Sequence, residues 1–73
     1  MDVKQKIGQR IRQLRIELEL SQEGLALKAN VDRTYVTDVE AGRRNVSLEI
    51  LERLIKALDI SFTEFFTSKE FKK

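Results

Sequence analysis

The segment SQEGLALKANVDRTYVTDVEAG, residues 21–42, decides the fold of this chain. Ser21 stands where a helix N-cap accepts a hydrogen bond from an unpaired backbone amide, and Asp32 stands there for a second helix. Between the two helices, Asn30 can adopt the left-handed conformation that a sharp corner needs. Gly42 is typical of the residue that ends a helix in that same conformation. The segment therefore predicts two short helices joined by a tight corner, a helix-turn-helix over about 21–42.

The rest of the chain continues the helical pattern. Apolar residues recur three or four positions apart, no segment alternates with a period of two, and the sequence contains no proline. We expect helices over about 3–18, 48–58 and from Ser61 onward, besides the two of the central segment. The apolar stripe of the first helix consists of Val3, Ile7, Ile11, Leu14 and Leu18. The fold class is all-α, a five-helix bundle, and residues 1–73 are interpreted as a single domain.

Composition excludes several classes of function. The 73 residues include no cysteine and no histidine, so disulfides, thiolate zinc sites and the usual catalytic bases and nucleophiles are missing. The three glycines stand singly, so no phosphate-binding loop is formed. We therefore expect no enzyme, no metal and no cofactor. Apolar runs are too short for a transmembrane helix, and charges occupy the position of a signal peptide's apolar stretch. The predicted location is the cytoplasm, without a membrane partner.

The charge pattern permits binding to nucleic acid. The net charge is only +2, but residues 1–15 and 43–73 are net basic while 16–42 are net acidic. Solvated helix faces would explain this balance equally well. The stronger signal is positional, because the second helix of a helix-turn-helix can enter the major groove and read base edges with its first turns. The candidates for base readout are Arg33, Thr34, Tyr35 and Thr37.

Phosphate contacts are expected to supply most of the affinity. Gln22 begins the first helix of the motif, where free amides can hold a phosphate. A polar loop follows the second helix. The candidates for phosphate contact are Gln22, Lys28, Arg43, Arg44 and Asn45. One loop arginine could instead enter the minor groove, and each residue taken singly could be ordinary surface. A helix-turn-helix used only for protein contact would need neither Arg33 nor this loop.

A second copy of the chain is the expected partner for the C-terminal third, residues 47–73. Apolar residues cover about half the circumference of the predicted fourth helix, more than one core contact requires. A domain of this size also gains burial from dimerisation. We assign Ile50, Phe62 and Phe65 to the dimer interface, and Phe66 and Leu58 to the monomer core. The alternative is that all of them close one small core.

The sequence resembles the Cro/repressor-type helix-turn-helix transcription regulators, which have a lambda-repressor-like DNA-binding domain. The resemblance covers about residues 7–66 and rests on IGQRIRQLR, LSQEGLALKANV, DRTYV, VEAGRRNVSLEILERLIKALDIS and FTEFF. The short length, with DRTYV followed by EAGRRN, is most similar to the controller proteins of restriction–modification systems. Phage-type and antitoxin-type repressors share most of the same pattern and remain alternatives.

The resemblance implies a homodimer that binds a palindromic double-stranded operator and controls a restriction–modification operon together with its own gene. It also implies a partly buried salt bridge between Arg15 and Glu40. Glu19 replaces a glycine usual in this family, and if it adopts the left-handed conformation it carries about 1–2 kcal/mol of strain. Asp38 replaces a small residue, and it could repel phosphate, accept from cytosine or orient an arginine. If the protein activates transcription, it needs a patch for RNA polymerase, for which Glu17, Glu19 and Glu23 are candidates.

Overall fold

The computed structural model describes residues 2–72, and their elements are helical. The five α-helices and one 3-10 turn are α1 (Val3–Glu17), α2 (Gln22–Ala29), α3 (Arg33–Glu40), α4 (Leu48–Ala57), α5 (Phe62–Phe66) and a turn at Lys69–Phe71. The all-α, five-helix prediction is confirmed. No helix among these residues is long and apolar enough to cross a membrane.

Each helix begins at a short polar side chain that accepts from a backbone amide of the first turn. The acceptor–amide distances are 2.9 Å for Asp2, 2.8 Å for Ser21, 2.7 Å for Asp32, 3.1 Å for Ser47 and 3.1 Å for Ser61. These bonds satisfy donors that have no partner inside the helix. The helix starts predicted from single residues are therefore confirmed.

Left-handed residues follow the first four helices. Asn30 has φ of 58° and Gly42 has φ of 75°, as the sequence predicts, and Glu19, for which this conformation was considered, has φ of 58°. Asp59, after α4, has φ of 62° and was not anticipated. Glu19 and Asp59 occupy a conformation that costs an ordinary residue about 1–2 kcal/mol, so the two turns beside α1 and α4 depend on the surrounding packing.

The core collects apolar side chains from all five helices, with Ile11, Leu25, Val36, Leu54 and Phe65 fully buried. The two ends of the predicted α1 stripe, Val3 and Leu18, lie outside it and are exposed.

The predictions for two of the α5 phenylalanines, Phe65 and Phe66, are wrong. Phe65, assigned to the dimer interface, is fully buried within its own chain, whereas Phe66, assigned to the core, is 37% exposed. Residues four apart share a helix face, so Phe62 and Phe66 lie together on the outer face of α5. Phe65 points the other way, and Leu58 is buried as predicted.

Gly8 allows α1 to pack directly against the backbone of α3. A Cβ atom at Gly8 would overlap the carbonyl oxygen of Val39 and lie 2.9 Å from that of Glu40. Gly24 has looser surroundings, because the nearest atoms to its Cβ position belong to Ser21, at 3.2 Å, and to Leu20. The close approach of two helices is therefore found at Gly8 and not at Gly24, and it fixes how α3 sits on the body.

Candidate nucleic-acid interface

Helix α3 is held by one face and leaves its opening turn free. Val36 and Val39 are buried, and Val31 is half-buried beneath the corner. Arg33 and Thr34 are exposed. This arrangement follows from the spacing of the two valines, three residues apart on one side of a helix. The first turn of α3 is therefore free to enter a groove as wide as that of DNA.

Tyr35 joins this opening turn to the loop that follows α3. The guanidinium of Arg44 lies over its ring, 4.3 Å from the ring centroid, in cation–π geometry. The Tyr35 hydroxyl accepts a hydrogen bond from the backbone amide of Ser47 at 3.3 Å. Tyr35 is therefore half-buried between the loop and the start of α4, with one ring face covered.

Asp38 connects both loop arginines to α3. Its Oδ1 accepts from Nη2 of Arg43 at 3.1 Å, and its Oδ2 accepts from Nη2 of Arg44 at 3.3 Å. The hydrogen bond from Arg43, followed by that from Arg44, lowers the pKa of the Asp38 carboxyl below its usual value. Of the three roles considered for Asp38, the structure shows it orienting arginines. We call Asp38, Arg43, Arg44 and Tyr35 the arginine clamp.

On its inner side, α3 is tied to α1 by a bidentate ion pair. Arg15 Nε lies 2.6 Å from Glu40 Oε2, and Arg15 Nη2 lies 3.0 Å from Glu40 Oε1. The third nitrogen, Nη1, donates to the carbonyl of Leu20 at 2.7 Å. The side chains are 11% and 3% exposed, respectively. The hydrogen bonds that the Arg15 guanidinium donates to Glu40 raise the pKa of Arg15, so the guanidinium stays charged.

Gln22 and Thr37 extend this ion pair toward the outside. Gln22 Nε2 donates to Glu40 Oε1 at 3.1 Å, and Gln22 Oε1 accepts from the Thr37 hydroxyl at 3.0 Å. The Thr37 hydroxyl also lies 3.1 Å from the carbonyl of Arg33. The polar atoms expected to meet phosphate and base are thus engaged within the protein. We call Arg15, Gln22, Thr37 and Glu40 the inner network.

The remaining candidates divide between two places. Asn45 is exposed in the loop beside the arginine clamp. Lys28 instead forms an exposed ion pair with Asp59, at 2.9 Å, in the turn between α4 and α5. The structure therefore does not place Lys28 with the clamp.

Arg10 joins α1 to α5, a role that the sequence pattern does not predict. The sequence places Arg10 only among the basic residues of the segment 1–15. Its Nε donates to the carbonyl of Phe65 and its Nη2 to that of Glu64, both at 2.9 Å. Both carbonyls belong to the last turn of α5, whose acceptors lack the full set of helical donors, and that of Glu64 also accepts from Thr67. A partner more than fifty residues away leaves no local pattern from which the role could be predicted.

Among residues 2–72, no group of three or more His, Cys, Asp and Glu side chains is placed to hold a metal ion. The polar groups of the candidate site instead suit contact with a large anionic surface. Proteins contact DNA backbones and base edges through such donors: exposed arginine and asparagine side chains and the amides at a protruding helix start.

Comparisons with known proteins agree on one family. The model of the helix-turn-helix family matches residues 11–65. Control protein C.MunI of a Mycoplasma species is 41% identical over 70 residues, which cover 94% of this chain and 95% of the relative.

Solved structures resemble the whole fold. The restriction–modification controller protein C.AhdI from Aeromonas hydrophila is 51% identical, with 86% of this chain and 96% of that chain covered and a TM-score of 0.82. The controller protein C.Esp1396I, solved as a tetramer in complex with its natural 35 base-pair operator, is 36% identical. That match covers 100% of this chain and 99% of the other, with a TM-score of 0.92.

Proposed function

This chain belongs to the helix-turn-helix family, among the controller proteins of restriction–modification systems, and we propose that it binds a palindromic operator as a homodimer. In this function it regulates a restriction–modification operon and its own gene. The family is one of transcription regulators, not of enzymes. The observation that carries the proposal is the exposed opening turn of α3 beside the arginine clamp. The operator complex of C.Esp1396I supports it.

Base readout is assigned to the first turn of α3. Arg33 is exposed, and its guanidinium can donate two hydrogen bonds to guanine O6 and N7. Thr34 is exposed and offers a hydroxyl and a methyl group. Tyr35 has one ring face under Arg44, so we assign it a contact through its ring edge. Thr37 bonds Gln22, and we assign it to holding α2 against α3 in the free protein.

Phosphate contact is assigned to the loop after α3. Arg43, Arg44 and Asn45 are all exposed next to the reading helix. Gln22 begins α2, where backbone amides without helical partners can hold a phosphate beside the side chain. The ion pair with Asp59 gives Lys28 a structural partner, so we assign Lys28 no leading part.

The dimer is assigned to the outer faces of α4 and α5. Leu48 is 83% exposed, Phe62 and Phe66 are exposed on one face, and Ile50 is half-buried. Apolar patches at the surface mark protein interfaces, and we infer that these side chains form one. A two-fold dimer would present two recognition helices about 34 Å apart, matching half-sites one helical turn apart. The tetramer that C.Esp1396I forms on its operator is compatible with such self-association.

The site of action in this proposal is the bacterial cytoplasm, where operator DNA lies. Glu17, Glu19 and Glu23 are exposed around the α1–α2 turn. If operator binding activates transcription, this acidic surface is our candidate contact for RNA polymerase.

The experiment that tests the function is selection of binding sites from a random pool of DNA duplexes. We expect a palindromic consensus, with binding that weakens steeply as salt rises because counterions are released. Arg33→Ala should lose about 1–3 kcal/mol of discrimination at one base pair of each half-site. Arg53→Ala, which removes the same charge from the exposed side of α4, is the matched control and should keep the consensus. Absence of any enriched sequence would favour a protein-contact module instead.

A further inference from the structure

The carboxylate of Asp38 holds both arginines of the loop that follows α3. Asp38 lies on α3, and its two oxygens accept separately from Arg43 and Arg44, at 3.1 and 3.3 Å. The side chain of Asp38 is 26% exposed, so the pairs lie at the surface rather than in the core. Arg43 and Arg44 are themselves exposed.

The arginine clamp connects the first turn of α3 with the start of α4. Arg44 lies over the ring of Tyr35, and the Tyr35 hydroxyl accepts from the amide of Ser47 at the start of α4. Each arginine reaches Asp38 through Nη2, which leaves Nε and Nη1 able to donate to another acceptor. Asp38 thus holds the loop beside α3 without occupying all of the arginine donors.

A negative charge at this position acts against DNA of every sequence. Phosphates surround any duplex, so they compete with the carboxylate for the arginines and are repelled by it. Exposed ion pairs contribute little, so a DNA acceptor with good geometry can replace Asp38. When Arg43 and Arg44 leave Asp38 to contact DNA, the ion pairs with Asp38 are lost. A duplex whose phosphates are poorly placed replaces these ion pairs less well than a duplex that fits the protein.

We propose that Asp38 determines specificity by holding Arg43 and Arg44 against α3, which weakens binding to non-cognate DNA more than binding to the operator. This inference rests on the proposed function. Asp38 is here a positioning residue, because it acts through the two arginines. With Asp38 present, Arg43 and Arg44 leave the carboxylate only when a well-fitting DNA site supplies contacts that replace the ion pairs.

The test compares Asp38→Asn with Asp59→Asn. Both remove one negative charge from an exposed ion pair, but Asp59 pairs with Lys28 and lies outside the clamp. Asparagine also tolerates the left-handed backbone of Asp59, so the control keeps its turn. The probes are a duplex carrying the palindrome selected by the parent protein and a duplex of equal length and composition with that palindrome scrambled. Equal thermal midpoints check that each variant is folded.

For Asp38→Asn we expect about three- to tenfold tighter binding to the scrambled duplex, because two arginines lose their competing carboxylate. Binding to the selected palindrome should change less than this, so the ratio of the two affinities falls. The salt dependence on the scrambled duplex should steepen by about one released counterion. Asp38→Glu, which keeps the charge, should retain most of the parent ratio, and Asp59→Asn should retain all of it.

The inference is overturned if Asp38→Asn leaves the ratio at the parent value, shifts both affinities equally, or weakens both. In each of those cases the parent protein still prefers its palindrome, and the proposed function stands. If the parent protein selects no sequence and binds neither duplex, the proposed function itself has failed, and this inference fails with it.

Discussion

Two carboxylates on α3, two residues apart, hold arginines in opposite surroundings. Glu40 belongs to the inner network and is 3% exposed, whereas Asp38 belongs to the arginine clamp and is 26% exposed. Glu40 accepts from Arg15 at 2.6 Å through a bidentate pair and from Gln22 as well. Asp38 shares its two oxygens between two arginines at longer distances.

Burial, not residue type, therefore decides whether an ion pair on this helix is fixed or can open. A buried carboxylate that loses its partner is left uncompensated, so its pair is locked in place. An exposed carboxylate is solvated when its partner leaves, so its pair can open at low cost. One helix thereby carries a permanent anchor on its inner side and exchangeable contacts on its outer side.

Glu40→Ala is expected to have one of the two largest effects on stability. It leaves the guanidinium of Arg15 buried without its partner, which costs about 3–5 kcal/mol. Denaturant unfolding should show a much lower midpoint, before any defect in DNA contact is measured. Asp38→Ala is the control on the same helix and should unfold close to the parent midpoint. Equal midpoints for Glu40→Ala and the parent would remove the contrast between the two carboxylates.

A second contrast between buried and exposed residues is expected in α5. Phe65→Ala empties a core position and should cost about 3–5 kcal/mol of unfolding free energy. Phe62→Ala removes an exposed ring from the proposed dimer face and should lose self-association while keeping most of the monomer's stability. Sedimentation and denaturant unfolding of both variants measure the two effects. If Phe62→Ala sediments like the parent, the dimer interface lies elsewhere.

The smallest effect is expected in the titration of Asp38. Its pKa in the folded protein lies below the usual value of 3.8, chiefly through the hydrogen bond from Arg43. A lowered pKa means that the clamp stabilises the fold above pH 3.8, and that this contribution is lost as pH falls through the folded-state value. NMR titration of the carboxyl should show that Arg43→Ala raises the pKa more than Arg44→Ala does. The reverse order would mean that Arg44 is the main partner.

Local sequence is enough to predict the helices, their starts and the corner between α2 and α3. These features depend on hydrogen bonds within about four residues, such as those of Ser21 and Asp32, and on backbone conformations that single residues such as Asn30 and Gly42 favour. The spacing of Val36 and Val39 likewise predicts which face of α3 is buried. The pairing of Arg15 with Glu40 was expected from the family resemblance, not from local pattern.

Only the tertiary structure decided the partners of residues far apart in the chain. It directs Phe65 inward and Phe66 outward, joins Gln22 to Thr37, and places the arginine clamp around Asp38. Helical periodicity says that a side chain can point toward a neighbour, but it does not say which neighbour is there. That depends on how the helices cross, and the crossing of α1 and α3 is set by the missing side chain of Gly8. Such contacts depend on distances in space, which residue spacing along the chain does not specify.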